Sequence, residues 1–164
     1  LPADFAAALG QAVADFGWLE EIIKRTIFAL DKARLAEDLT ERQRQGWMAR
    51  MGNIADDSLG TLIEQMDSAM RRHPGLGERD LITDRLYEIR SHRNLLCHAS
   101  WRPTPDPSRW HPAFVDAKGG IYRQDLTVED VQQISRITVE TAYRVLHVMQ
   151  ATGVQGYWAG DEES

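Results

Sequence analysis

The sequence predicts an all-α fold of four to five helices, with a short β-hairpin inserted before the last helix. Three observations predict it. Apolar residues recur in steps of three and four through several long stretches, which is the helical period. Those stretches end at proline or glycine clusters. Only one short segment pairs apolar residues about a Gly-Gly turn, as strands do.

The first helix is expected over about 3–37. Phe5, Leu9, Ala12, Phe16, Leu19, Ile23, Thr26 and Leu30 form its seam. Trp18, Ile22 and Phe28 lie off that seam, so the helix is expected to bury a second face against another helix or a second subunit. Gly10 and Gly17 weaken it locally without ending it. Residues 38–53 carry no clear period. Thr40 to Gly46 is polar and expected to be exposed, with Trp47, Met48 and Met51 as apolar anchors. A second helix is expected over about 56–72, with Leu59, Leu62, Ile63, Met66 and Met70 inward, and His73-Pro74-Gly75-Leu76-Gly77 ends it.

A third helix follows over about 78–99, and the prolines at 103, 105 and 107 forbid its continuation. Phe114 to Tyr122, with Gly119-Gly120 between apolar pairs, reads as a hairpin over about 113–123. Thr127 caps a last helix over about 127–152, with Glu129 and Asp130 in its first turn. Val131, Ile134, Thr138, Ala142, Val145 and Met149 form its stripe; it ends near Gly153, and the tail Asp161 to Ser164 is expected to fray. No repeat and no linker divides the chain, so residues 1–164 are expected to form a single domain.

With 164 residues and 43% hydrophobic positions, the chain is long enough to bury a substantial core. No run of eighteen apolar residues exists, so no membrane partner is expected. The first residues lack a basic-then-apolar leader pattern, and the single cysteine, Cys97, fits a reducing compartment. Both point to the cytoplasm. A net charge of −6 argues against a sequence-blind nucleic-acid coat protein. Divided by segment, residues 1–41 carry −4, residues 42–109 carry +2 and residues 110–164 carry −4. All eleven bases of the middle segment are arginine, the planar and bidentate cation suited to phosphate. Arginine in place of lysine also arises from genome composition alone, without any functional reason.

The third helix contains the informative residues. Ile82, Leu86, Ile89 and Leu96 share one stripe, and Arg93 falls at its centre. A guanidinium on a core-facing line is costly unless it is paired or reaches a wet cleft. Beside the stripe, Arg90, Asn94 and His98 run at four-residue spacing along one edge. Arg93 and His98 are five residues apart, hence about 140° apart around a regular helix. A single chain therefore does not aim both at one atom. Either the helix distorts, the long Arg curls round, or two copies combine across a dimer.

Arg93-Asn94-Leu95-Leu96-Cys97-His98 resembles the HEPN family (higher eukaryotes and prokaryotes nucleotide-binding domain), whose hallmark is Arg, four to six residues, then His, often with Asn after the Arg. The motif covers six residues, and the helical layout covers most of the chain. The resemblance implies a four- to five-helix HEPN-like bundle acting as a metal-independent endoribonuclease. It implies equally a non-catalytic module that binds RNA, a nucleotide or a protein. It further implies RNA as partner, a homodimer whose motifs share a cleft, and the setting of a bacterial toxin or defence effector with an antitoxin or regulatory protein. On that resemblance His98 is the general acid/base, Arg93 holds the scissile phosphate and Asn94 orients His98; Arg90 is a supporting substrate contact outside the motif. No cofactor is implied.

Each residue also has a plainer reading. Arg93 would be a buried Arg paired with an acid such as Glu20 or Glu21, and His98 a helix-end residue. Arg90 would be a surface cation. Glu88 and His92 have metal-ligand spacing but no third ligand nearby, so no metal site is expected. Cys97, one position from His98, diverges from it by about 100° and is expected to be a core thiol. Trp101, Trp110 and Tyr122 have the chemistry to stack bases but are expected to pack on the helices beneath. His73, His111 and His147 are expected to be structural or exposed.

Overall fold

The computed structural model describes residues 1–34, 40–54, 58–73 and 75–152. Among them are five helices: α1 (Ala3–Arg34), α2 (Glu41–Ile54), α3 (Leu59–Arg71), α4 (Arg79–His98) and α5 (Val128–Ala151). Two strands, β1 (Ser100–Pro103) and β2 (Trp110–Ala113), form an antiparallel pair between α4 and α5. None of these helices is long and apolar enough to cross a membrane. The expected helical positions 35–37 and 56–57, the helix end near Gly153 and the tail at 161–164 lie outside the described residues.

The chain gathers into two units. One joins Leu1–Trp18 to Glu88–Glu140; the other joins Leu19–Tyr87 to the described part of Thr141–Ser164. In the second unit Leu19, Ile23, Ile27 and Leu30 of α1 are buried, and so are Leu62, Ile63, Met66 and Met70 of α3. Ile82 and Leu86 of α4 and Ala142 and Val145 of α5 are buried there as well. Polar ties accompany this core. The carboxylate of Asp31, 1% exposed, accepts a hydrogen bond from Arg50 at 2.9 Å, which offsets the cost of burying its charge. His73 is structural, its Nε2 lying 2.9 Å from the Leu30 carbonyl. Glu21, one of the two acids considered for Arg93, holds Arg25 at 2.9 Å.

Residues 41–54, which show no clear period, are helical. The cause is local: Gln43 N donates to Thr40 Oγ1, and Thr40 N donates to the Gln43 side chain, a reciprocal capping box. Thr40 to Gly46 is exposed along its length. Met48, expected as an apolar anchor, is exposed as well; the side chains of Trp47 and Met51 lie outside the described residues.

The first unit carries the motif. Phe5, Ala12 and Phe16 of α1, Ile89, Leu95 and Leu96 of α4, and Val131, Ile134 and Thr138 of α5 are buried in it. Its strands pair Ser100 with Ala113, Trp101 with Pro112, Arg102 with His111 and Pro103 with Trp110. Phe5 meets Trp101 edge to face at a centroid distance of 5.1 Å and lies 6.2 Å from Trp110. Trp101 and Trp110 therefore face α1, and the alternating residues Arg102 and His111 face away. Trp110 also exchanges two 2.8 Å backbone hydrogen bonds with Leu126, which ties β2 to the start of α5.

The hairpin thus stands earlier than the expected 113–123. Its ladder is made by the segment around the prolines, and Thr104 to Arg109 is the connecting loop. A two-stranded sheet has only edge strands, where a missing proline N–H costs little. Over 113–123 the pairing stops at one bridge, Val115 with Ile121. The residues between are held as a turn by the Asp116 carboxylate, which accepts from the backbone N–H of Lys118 and Gly120 at 2.8 Å each. Gly119 has φ +81°, a conformation that favours glycine.

Candidate functional site

α4 places the motif. Ile89 and Leu96 bury their side of the helix, Leu95 beside them is buried too, and Arg93 is half-buried on the same apolar stripe. Arg90, Asn94 and His98 follow one another at one-turn intervals along the neighbouring edge. Arg90 and His98 are exposed and Asn94 is half-buried. The side chains of these three make no hydrogen bond or ion pair with the described residues. His98 is the last residue of α4; Ala99 N closes the helix on the Leu95 carbonyl, and β1 begins at Ser100. The helix stays regular through the motif, so Arg93 and His98 point about 140° apart. One chain brings Arg90, Asn94 and His98 to a common edge and leaves Arg93 on the adjoining face.

Asn94 also borders a cavity of about 380 Å³. Ser91 and Leu95, one turn apart on α4, face it, with His92 and Asn94 flanking them on opposite sides. The opposite wall comes from the turn between β2 and α5, chiefly Phe114, Ile121 and Tyr122. The Nδ1 of His92 is buried and has no hydrogen-bond partner among the described residues. Burial holds the His92 pKa below its usual value, against an opposing pull from the Glu88 charge, so this imidazole is neutral near pH 7. Burial likewise raises the Tyr122 phenol, with Asp130 adding to the effect, and keeps it protonated. A larger hollow of about 590 Å³, lined by residues such as Ala7, Gln11, Gln132 and Arg136, contains no α4 residue.

Several side chains differ from their sequence reading. Cys97, expected in the core, is exposed. On α4 it lies about 80° from Ile89 and about 160° from Leu95, both buried, so it stands at the edge of what this last turn of the helix buries. Trp101 and Trp110 pack on Phe5, whereas Tyr122 lines the cavity. His111 Nδ1 lies 2.8 Å from the Asp125 carboxylate and fastens β2 to the segment before α5. His147 is exposed. His92, weighed in the sequence only as a metal ligand with Glu88, and Phe114, read only as part of a hairpin, both line the cavity. The signal available for His92 was its place one residue before Arg93, on a side of α4 that only the later turn could cover. Among the described residues, no group of three or more His, Cys, Asp or Glu side chains comes together as a metal site would require.

No protein-family model, no curated protein and no solved structure matches the chain.

Proposed function

We propose that the chain is a metal-independent endoribonuclease with a HEPN-like fold, working in the cytoplasm as a homodimer. The observation that carries this reading is the state of the α4 edge. A half-buried Arg93 sits on an apolar stripe beside three polar side chains, Arg90, Asn94 and His98, that no described protein group occupies. Groups left free at a helix end are available to a ligand, and an Arg with a His suits a phosphodiester.

The chemistry is a transesterification. His98 takes the proton of a ribose 2′-hydroxyl, and the 2′-oxygen attacks the adjacent phosphorus. The bond to the 5′-oxygen breaks, and that oxygen receives a proton from an imidazolium. The products are a 2′,3′-cyclic phosphate and a 5′-hydroxyl. Arg93 stabilises the charge on the phosphoryl oxygens as it develops. Asn94, one turn from His98, orients the imidazole, and Arg90 supports a neighbouring phosphate. Two copies reconcile the divergence of Arg93 and His98, because a groove shared by two α4 helices receives an Arg from one copy and a His from the other. A toxin or defence effector restrained by an antitoxin or regulatory protein is the setting that the motif suggests.

A second reading is favoured by the acidic flanks: a dimeric module with the same fold that holds RNA, a nucleotide or a protein without cleaving. Mixed RNA incubated with the purified protein in EDTA separates the two. The ribonuclease reading expects cleavage that is lost in His98→Ala and Arg93→Ala. Cleavage surviving in both variants, or stopped by EDTA, overturns it, and intact RNA supports the module.

A further inference from the structure

We infer that the cavity between α4 and the turn at 114–122 is a nucleobase pocket, with Phe114 and Tyr122 against the face of the base and His92 and Asn94 at its edge. The inference deepens the ribonuclease reading and rests on it for the choice of RNA as the base's source. Apart from Asn94, its observations are independent of the motif's chemistry.

The walls differ in kind. One is mostly apolar and aromatic, with Asp116 bonded to the N–H groups of its own turn; the other presents the polar side chains of His92 and Asn94. Tyr122 lines the hollow and donates its hydroxyl to Gln124 at 3.3 Å, so the ring is the part left for a ligand. Asn94 makes no side-chain hydrogen bond with the described residues, and His92 adds an imidazole whose Nδ1 is closed off from the cavity. A ligand that bonds to the Asn94 amide therefore displaces no described protein partner. With Nδ1 covered, the neutral imidazole offers a single donor or acceptor at Nε2, and a primary amide offers both. A planar heterocycle with donors and acceptors around its rim and an apolar face fits such walls, and a nucleobase is that molecule. A volume of about 380 Å³ lies at the small end of ligand sites, which suits one base and not a stack of several.

The position of Asn94 joins this pocket to the rest of the helix. Asn94 belongs both to the cavity wall and to the edge shared with Arg90 and His98, one turn to either side. A nucleotide whose base enters the cavity therefore has its sugar and phosphate leaving along the line of Arg90 and His98. The pocket would select which base stands beside the cleaved bond.

Calorimetric titration of the full chain tests this with the four nucleoside 5′-monophosphates and with a short 2′-O-methyl oligonucleotide that cannot be cleaved. An RNA-derived base predicts that the oligonucleotide binds at least tenfold more tightly than any mononucleotide. A free nucleotide as ligand predicts equal affinities. His92→Leu and Tyr122→Ala should each weaken binding tenfold or more, whereas Tyr122→Phe, which keeps the ring, should bind as the parent does. Melting curves confirm that the variants are folded. No binding of either probe, or parental affinity in folded His92→Leu and Tyr122→Ala, overturns the pocket. Because no turnover is involved, binding without RNA cleavage removes the ribonuclease reading and leaves the pocket standing. Cleavage with binding unchanged in both variants does the reverse.

Discussion

At the end of α4 the imidazole of His98 is exposed and makes no side-chain bond with the described residues, so its removal should cost chemistry and not stability. His98→Ala is expected to lower RNA cleavage by about 100-fold or more while leaving the melting temperature within a degree or two of the parent. A comparable fall in both would assign His98 a structural part. Arg93 differs, being half-buried on the apolar stripe. Arg93→Lys keeps the charge but loses the planar fork, and is expected to reduce cleavage by about 10- to 100-fold if the guanidinium grips phosphate oxygens in pairs. His92 supplies a third test. Its pKa in the folded chain lies below its usual value, so the unfolded chain takes up the proton more readily. Stability is therefore fully present above about pH 6.5 and falls as the pH drops toward the folded value. Urea midpoints at pH 7.5 and 5 should show that fall, and His92→Leu should flatten part of it. An unchanged pH slope in the variant would contradict the assignment. These residues were legible to different degrees. Arg93 and His98 stand out by spacing and by an apolar stripe interrupted by a charge. Cys97 was misjudged because an apolar run conceals which of its members the helix turns outward.

Among the elements, the first unit depends on Phe5, which is 1% exposed and meets two indole rings. Phe5→Ala is expected to destabilise the chain by about 3–5 kcal/mol in chemical denaturation. A loss below about 1 kcal/mol would mean that Trp101 and Trp110 close over the gap. At the start of α5, Thr127 N donates to the Asp130 carboxylate at 2.9 Å, and Asp130 N donates to Thr127 Oγ1 at 3.1 Å. Thr127→Ala removes one half of that exchange and should cost about 1 kcal/mol. The helices with strong apolar periods, α1, α3, α4 and α5, were legible because period and burial express the same fact. α2 was not, because its apolar residues are few and its start is encoded in Thr40-Glu41-Arg42-Gln43, a capping pattern and not a period. The hairpin was misplaced for a related reason. Proline reads as a breaker, yet Pro103 and Pro112 stand in a pair of strands that are both edges, while the Asp116 turn limits the more strand-like segment to one bridge.

For the whole molecule, a net charge of −6 leaves little general attraction for RNA. On the proposed function, affinity for RNA would come from a few arginines and from the pocket beside Asn94, which predicts a shallow dependence on salt, with a slope set by about two or three phosphate contacts. A steep slope would place RNA on a surface other than the α4 edge. The proposed composite site further requires two copies. Light scattering should give twice the chain mass of 18.6 kDa, and a monomer that still cleaves would remove the shared groove. The central claim is that Arg93 and His98 cleave RNA through its own 2′-hydroxyl. The most direct measurement is the end chemistry of one defined RNA incubated in EDTA, beside the same strand carrying a single 2′-deoxyribose at the cleaved position. The account predicts a 2′,3′-cyclic phosphate and a 5′-hydroxyl from the first strand and an intact bond in the second. A cut deoxy bond, or products ending in a 3′-hydroxyl and a 5′-phosphate, would contradict it.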